Sequence, residues 1–346
     1  MKWKILPATE LHRHLGTLDA FNCQGAGTPL LSPGFVLPLL KEFGTGKEVL
    51  ALCETADGAQ AFALLVPQGR GIWETFQPAQ GPIGAWLQRP ELPIEPLLGS
   101  LLDALPGFAL AVGITQQDPD LLPRPADGKC LTTLDYIRTA RITVEGSFAQ
   151  YWEARGKNLK HNMKRQRSRL EKEGIKTSLE VVTGPSDIAQ AIADYGQLET
   201  TGWKAPGGTA VHPANAQGRF YRTMLEDFCR RGRGRVYRYR FNDRVVAVDL
   251  CIEENASLII LKTTYDESIK TCSPAFLMRQ EAFGKLFEER RIKRIEFYGK
   301  LMEWHTRWTD DVRTLYHVNY YRSRLVPKLR SIAARFSSFG LSDKPT

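Results

Sequence analysis

One stretch in the second half of the chain shows hydrophobic residues at strand spacing, then helix spacing, then strand spacing again. Leu258–Tyr265 is rich in Leu, Ile and Thr, which favours a buried strand. Ser273 and Pro274 then suit a helix start, because a Ser hydroxyl can accept a hydrogen bond from a backbone N–H and Pro has no N–H to satisfy. Apolar residues recur at helical spacing over 276–287, and Ile292–Tyr298 predicts a second strand. The pattern predicts a parallel strand–helix–strand crossover.

The start of this helix is a candidate anion site. Its unpaired backbone N–H groups and the positive end of its dipole would lie just past the carboxyl end of the first strand. Lys270 adds a positive charge immediately before it. The spacing alone is equally compatible with a crossover that binds nothing, since every parallel α/β protein contains such a unit.

The first 140 residues predict a separate α/β unit. A helix is expected over 34–43, and strands at 49–54 and 61–67 flank the turn signal Asp57-Gly58. Further strands and a helix follow, separated by loops rich in Pro and Gly. This half contains neither paired carboxylates at helical spacing nor a glycine fingerprint, so we predict no catalytic role for it.

A strongly basic helix is predicted over residues 147–173. Ser147 and Gln150 make a capping box, Gly156 is a point at which the helix could divide, and Gly174 supplies a stop. Its cations fit a solvated face, an anion-binding surface for an acidic substrate or carrier, or a nucleic-acid contact. They are Arg155, Lys157, Lys160, Lys164, Arg165, Arg167, Arg169 and Lys172.

Asp249 is a carboxylate within the apolar strand 245–253, where an unpaired charge would be costly. If Asn255 and Ala256 are the two central residues of a hairpin turn, Asp249 lies directly opposite Lys262. We therefore expect either a structural ion pair between the two or an Asp that tunes or serves a reactive site.

His305 lies between Trp304 and Trp308, just past the end of the second crossover strand. Ligands of open α/β sheets bind at this edge. A His beside aromatic residues is either a packed, hydrogen-bonded residue or a catalytic one, and the sequence leaves both interpretations open.

Composition narrows the choice of partner and compartment. The chain has 346 residues, a length that favours two domains. Its net charge of +9 favours anionic partners. Its six cysteines are scattered without a C-x-x-C pair, so we expect free thiols, no metal site and a reducing compartment. No apolar run approaches the ~20 residues that span a bilayer, and the amino terminus lacks a signal-peptide core. A cytoplasmic protein is expected, with peripheral contact to anionic membrane as an option for its basic faces.

Several segments between residues 145 and 322, taken in their order along the chain, resemble the GNAT acyltransferase superfamily. The resemblance is to the branch of CelD-like cellulose-biosynthesis acetyltransferases, which is related to the FemAB aminoacyltransferases. The segments are SFAQYWEARGKNLKHNMKRQRSRLEKEG (147–174), LETTGWK (198–204), VVAVDL (245–250), LKTTYDESIKTCSPAFLMRQEAF (261–283), IEFYG (295–299) and WHTRW (304–308).

The resemblance implies an α/β (α+β) fold of tandem GNAT-like domains, with mixed sheets flanked by helices. Residues 1–140 would be a degenerate first copy, and residues 141–346 would be the acyltransferase domain. The implied donor is acetyl-CoA or another acyl-CoA, held between two crossover strands that part near Tyr265 and Gly299. By this analogy the backbone of 262–264 binds the pantetheine arm and 270–276 holds the pyrophosphate. The donor-binding residues are then Lys262, Thr263, Thr264, Lys270, Thr271, Cys272, Ser273, Ala275 and Phe276.

The implied reaction is N-acyl transfer to an amine by direct attack, without a covalent enzyme intermediate. It needs a base to remove a proton from the ammonium group and donors for the thioester oxygen. Backbone N–H groups of the first crossover strand would be those donors. The base candidates are Glu199, Asp249, Glu296 and His305. The residues assigned to the acceptor side are Trp203, Lys204, Tyr265, Tyr298 and Trp304.

The partner and the donor remain open at this point. The acceptor is an amine on a small molecule, a glycan or a peptide. A FemAB-like enzyme would take its acyl group from aminoacyl-tRNA, and a carrier protein is another anionic donor that the basic helix could meet. A third alternative is a non-catalytic GNAT-like protein that binds an anionic glycan or lipid intermediate.

Overall fold

The structure is a computed structural model that describes residues 1–56, 58–201 and 211–324. The chain divides into two compact units. The first comprises 1–33, 44–137 and the described residues from 314 onward, and the second comprises 34–43 and 138–313. That the first unit is a degenerate copy of the second stays a prediction.

The described chain mixes helices and strands, with short 3-10 turns between some of them. Those before residue 144 are β1 (Lys2–Pro7), α1 (Leu15–Gln24), α2 (Pro33–Phe43), β2 (Val49–Thr55), β3 (Gly58–Gly69), β4 (Ile72–Thr75), β5 (Trp86–Gln88), α3 (Ile94–Ala104), β6 (Ala111–Gln117) and β7 (Leu131–Thr143). Those that follow are α4 (Phe148–Glu153), α5 (Lys157–Lys172), β8 (Thr177–Val182), α6 (Ile188–Thr201), α7 (Ala216–Arg230), β9 (Gly234–Phe241), β10 (Arg244–Glu254), β11 (Ser257–Tyr265), α8 (Pro274–Glu289), β12 (Arg294–Glu296), α9 (Glu303–Thr306) and β13 (Val312–Tyr321).

In the first unit, β1 to β4 form an antiparallel meander in sequence order. Helix α3 then connects to β6, which pairs parallel to β4. Its inward stripe of Leu97, Leu98, Leu101 and Leu102 is fully buried and joins the core of this unit. β6 is paired on its other edge with the carboxyl part of β13.

The second unit has the same strand connectivity. β8 to β11 form an antiparallel meander, α8 crosses over, and β12 pairs parallel to β11 and antiparallel to the end of β7. The expected strand–helix–strand crossover and the mixed α/β sheet flanked by helices are thus confirmed. The buried core of this unit surrounds Trp308, whose ring contacts Phe276 and Phe283 at centroid distances of 5.4 and 5.2 Å.

The predicted basic helix is two helices, as the glycine at its first third allows. Gly156 caps the start of α5, while Ser147 and Gln150 form the expected capping box on α4. Gly174 adopts φ +68°, and the following amide N of Ile175 reaches the Leu170 carbonyl oxygen at 2.8 Å, so the stop is also confirmed.

The β10–β11 hairpin has the predicted turn but not the predicted register. Asn255 and Ala256 both have positive φ, as a two-residue turn of this kind requires, and Glu254 faces Ser257. A β-bulge after Leu250 then shifts the pairing by one residue. Asp249 therefore faces Thr263, and the expected Asp249–Lys262 pair is wrong.

Candidate functional site

The two parallel strands of the second unit part soon after they meet. Their pairing runs over three residues, from Ser257 opposite Arg294 to Ile259 opposite Glu296. Beyond that point β11 continues to Tyr265 along β10, while the amide N of Phe297 bonds to the carbonyl oxygen of Ala140 at 3.2 Å and so follows β7. A gap therefore opens between β11 and the segment after β12, at the edge of the sheet where we expect a ligand.

A pocket of about 710 Å³ lies beside the end of β11, beyond the residues paired with β12, and extends to the first turn of α8. Six predicted donor-binding residues line it: Thr263, Lys270, Cys272, Ser273, Ala275 and Phe276. Tyr265 and Trp304, which we assigned to the acceptor side, line it as well, together with Arg279. Lys262, Thr264 and Thr271 do not line this pocket.

The amino-terminal end of α8 differs from the prediction in one detail. Ser273 occupies the N-cap position, but its side chain makes no capping hydrogen bond, so the predicted hydroxyl cap is wrong. The side-chain oxygen of Gln166 on α5 instead accepts from the Ser273 amide N at 2.8 Å. The amide N atoms of Phe276 and Leu277 point to the Ser273 carbonyl oxygen. Cys272 is buried, which raises the pKa of its thiol and keeps it protonated at neutral pH.

Asp249 and Arg279 form a buried ion pair beside the gap, and each is only 2% exposed. The Arg279 Nε and Nη2 atoms lie 3.3 and 3.4 Å from the two carboxylate oxygens. Nη2 also donates to Thr263 Oγ1 at 2.7 Å, and the guanidinium carbon lies 4.4 Å from the centre of the Trp304 ring. The charge partner of Asp249 is therefore an arginine of the crossover helix.

His305 is packed behind Trp304. The two rings stack at 3.5 Å, and His305 Nδ1 accepts a hydrogen bond from the Met302 amide N at 2.9 Å. Burial, and to a lesser extent the charge of Arg279, lowers the pKa of His305 to about 4. Because Nδ1 is an acceptor, the neutral ring carries its proton on Nε2 and has no basic nitrogen left for catalysis. This geometry favours the packed, hydrogen-bonded interpretation.

Glu296 is held between two arginines. Its Oε2 lies 2.8 Å from Arg313 Nη2, and its Oε1 lies 3.7 Å from Arg294 Nε. The carboxylate is 4% exposed. Tyr298, which we assigned to the acceptor side, lies under the guanidinium group of Arg313 at 5.1 Å. These contacts favour a structural role for both residues.

Glu199 and Lys262 lie on the other face of the sheet. Successive strand residues point to opposite faces, so Lys262 faces away from Thr263 and Arg279 and towards α6 and α7. Its Nζ is 3.7 Å from Glu199 Oε1, which also accepts from the Tyr195 hydroxyl at 3.0 Å. Glu199 Oε2 accepts from the Val211 amide N at 2.7 Å. Burial and then the Glu199 charge raise the pKa of Tyr195, so this phenol stays protonated.

The structure thus separates the four base candidates. Asp249 and His305 lie with the pocket on the α8 side, Glu199 lies on the α6 side, and Glu296 is enclosed by arginines. Trp203 and Lys204 fall outside the described residues. Within the described ranges, no group of three His, Cys, Asp or Glu side chains could hold a metal ion. Also within these ranges, the helices are too short or too polar to cross a membrane.

Three residues that line the pocket, Glu267, Ile269 and Arg279, were not predicted from the sequence, and Arg279 is the one that pairs with a base candidate. It lies on the same helical face as Phe276, Phe283 and Leu286, and all of its near neighbours on that face are apolar. A charged residue within an apolar helical stripe is the sequence signal that could have identified it.

The α/β fold and the comparison with known families together support an acyltransferase. Residues 157–306 match the family model described as an acetyltransferase (GNAT) domain. The chain therefore carries a GNAT acetyltransferase domain, and this domain lies wholly within the second unit.

Solved structures support the fold at low identity. The chain is similar to the C-terminal domain of a putative lysylphosphatidylglycerol synthetase from Agrobacterium fabrum, at 14% identity and a TM-score of 0.56, covering 90% of this chain and 92% of that one. It is also similar to L-PGS from Bacillus licheniformis (11%, TM-score 0.52, 92% and 96%) and to FemX (10%, TM-score 0.56, 91% and 98%). No curated protein matches the chain.

Proposed function

We propose that the protein transfers an acyl group from acyl-CoA to an amine by direct attack. The observation that carries this proposal is the pocket of about 710 Å³ formed by the unpaired end of β11, the first turn of α8 and Trp304, beyond the point where β11 and β12 part. A narrow thioester arm with a pyrophosphate at one end needs a slot between strands and a positive helix end beside it. Both features occur here in one cavity.

The donor's phosphates would be held by the start of α8 and by Lys270. The backbone of 262–264, beyond the last residue paired with β12, would bind the pantetheine arm. Acyl-CoA supplies the activated thioester; the protein orients it and provides the proton acceptor. The acyl chain length is set by the space between Thr263 and Trp304, which line the pocket.

Glu199 is the candidate that we propose as the base, because its partners among the described residues are a lysine, a phenol and a backbone amide and none of them is an arginine. Asp249 is committed to Arg279, Glu296 to two arginines, and His305 presents an acceptor only to Met302. Glu199 is buried beside the Lys262 ammonium group on the α6 side of the sheet, and Trp203 and Lys204 follow it closely in the sequence. The amine acceptor, on a small molecule, glycan or peptide, would approach from this face in a cytoplasmic reaction of the CelD-like type.

Titration of the purified full chain with acetyl-CoA tests this function. We expect saturable binding by calorimetry and a thermal shift at millimolar ligand. Absence of both would contradict the proposal and favour a non-catalytic GNAT-like protein that binds an anionic glycan or lipid intermediate. Glu199→Gln should retain acetyl-CoA binding and lose acyl transfer to any amine that the wild-type protein accepts.

An aminoacyl-tRNA donor is the second candidate, and the exposed face of α5 favours it. Lys157, Lys164, Arg165 and Lys172 are exposed there and form no ion pair with any described residue. The fold is also that of FemX. Binding of tRNA should weaken steeply with salt, whereas acetyl-CoA binding should survive replacement of these four cations. Salt-independent acetyl-CoA binding without tRNA binding would exclude this candidate.

A further inference from the structure

Arg279 has more donors than the protein uses. Nε and Nη2 contact Asp249 and Thr263, but Nη1 has no hydrogen-bond partner among the described residues. This unpartnered nitrogen is not sealed from solvent. Since Arg279 is 2% exposed and lines the pocket, the remaining accessible part of its guanidinium group faces the cavity. A buried donor in this position needs an acceptor from whatever fills the pocket.

The pairing with Asp249 is too loose to explain the arginine by stability alone. Its two contacts of 3.3 and 3.4 Å are longer than the 2.7–2.9 Å typical of charge-assisted bonds. A buried ion pair adds little to stability even with good geometry, because desolvation offsets the attraction. The contacts do fix the orientation of the guanidinium group, since Asp249, Thr263 and the Trp304 ring hold it from three sides.

Arg279 lies where the reacting end of an acyl thioester would be. It reaches from α8 to Thr263, which lies four residues beyond the last β11 residue paired with β12. On the other side of the gap it reaches Phe297 and Trp304, in the segment that follows β12. Arg279 therefore bridges the gap between β11 and the segment that follows β12. Because Asp249 balances its charge, a neutral carbonyl oxygen can enter without leaving an uncompensated charge in the site. A carboxylate-bearing acyl group would place a second negative charge near Asp249.

We propose that Arg279 is a catalytic residue whose Nη1 donates a hydrogen bond to the thioester carbonyl oxygen, and that Asp249 and Thr263 are its positioning residues. This inference rests on the proposed function. The amine nitrogen forms a bond to the carbonyl carbon, the carbon–sulfur bond breaks, CoA leaves as the thiolate, and the amine loses its proton to the base. Arg279 stabilises the negative charge that builds on the oxygen between these events. The protein thereby selects neutral acyl groups.

The test is the infrared carbonyl band of acetyl-CoA labelled with ¹³C at the carbonyl carbon, bound to the full-length protein without an acceptor. A hydrogen bond from a cation lowers the wavenumber of this band. We expect a downward shift on binding to the wild-type protein, loss of at least half of that shift in Arg279→Met, and a partial shift in Arg279→Lys. Acetyl-CoA affinity should change less than about threefold, because the interaction strengthens mainly in the transition state. Lys285→Met, on an exposed turn of the same helix, should behave as wild type.

The outcomes separate the two proposals. A full shift retained in Arg279→Met would overturn the role of Arg279 while leaving acyl-CoA binding intact. No binding by the wild-type protein would contradict the proposed function itself. If Arg279→Met does not fold because Asp249 is left unpaired, the charge-balanced double variant Arg279→Met/Asp249→Asn replaces it, and a retained shift there is equally contradictory.

Discussion

The two crossover gaps of this protein share a connectivity and differ in what fills them. In each unit an antiparallel meander leads through one helix to a parallel strand, and in each the parallel pairing lasts three residues. In the first unit it ends at Glu74 opposite Gly113. In the second it ends at Ile259 opposite Glu296, and the pocket is lined by Thr263 and Tyr265 further along β11.

The first gap is closed by the chain itself. Thr75 Oγ1 contacts Thr115 Oγ1 at 2.7 Å and accepts from the Thr115 amide N at 2.9 Å, so the diverging strands are bridged. The loop after β4 returns over this bridge, and the amide N of Gly84 donates to the Thr115 carbonyl oxygen at 3.1 Å. A Cβ atom at Gly84 would overlap Thr75 Oγ1 and that carbonyl oxygen.

The second gap is crossed by a charged side chain and not by a returning loop. Arg279 crosses it, supported by Thr263 and Trp304, and Lys270 precedes the helix start, whereas the first turn of α3 carries Glu95. Connectivity alone therefore does not make a donor site; space and positive charge at the parting strands are also needed. The difference supports the proposal that residues 1–140 are a degenerate copy and that acyl transfer belongs to the second unit.

The largest expected effect comes from forcing the first gap apart. Gly84→Val places side-chain atoms where a hydroxyl and a carbonyl oxygen already lie, so we expect the free energy of unfolding to fall by at least about 3 kcal/mol. Urea unfolding measures this. Acetyl-CoA affinity of the folded fraction should not change.

Gly16→Ala is the matched control, because a Cβ atom there meets nothing within 4 Å. It should leave stability unchanged or raise it by up to about 1 kcal/mol. If Gly84→Val were as stable as this control, the first gap would not be closed by the contact described, and the contrast between the units would fail.

The sequence predicted the elements of both units better than the contacts between them. The Asn255-Ala256 turn and the α8 crossover follow from local residue types, and both are confirmed. The bulge after Leu250 has no local signature, so the partner of Asp249 was assigned wrongly. The Arg313 partner of Glu296 lies 17 positions away along the chain, and only the fold brings the two together.

A smaller effect is expected from acid, through a buried histidine in the second unit and a half-buried one in the first. The pKa of His305 is lowered from 6.5 to about 4, so below pH 6.5 the unfolded chain takes up a proton that the folded chain does not. The stability contribution is complete above pH 6.5 and is lost as the pH falls towards 4. We expect about 2 kcal/mol of loss between pH 7 and pH 5.

The histidine of the first unit allows a direct comparison. His317 Nδ1 accepts from the Gln116 amide N at 3.2 Å, and burial lowers its pKa too. His305→Asn keeps an acceptor for the Met302 amide N but does not titrate, so unfolding free energies at pH 7 and pH 5 should converge in this variant. If the loss of unfolding free energy between pH 7 and pH 5 is unchanged in His305→Asn, His305 is not its source. His317→Asn would then be expected to remove that loss.

The smallest effects should distinguish the two threonines beside the gaps. Thr75→Val removes the acceptor of the half-buried Thr115 amide N, so stability should fall by about 1–2 kcal/mol with no change in the carbonyl band of bound acetyl-CoA. Thr263→Val removes the acceptor of Arg279 Nη2, but water in the pocket can replace it, so stability should fall by less than about 1 kcal/mol. The carbonyl shift should shrink in that variant, because the guanidinium group loses one of its three supports. A weakened carbonyl shift in Thr75→Val would contradict a purely structural role for the first gap. An intact shift in Thr263→Val would contradict the role of Thr263 in positioning Arg279.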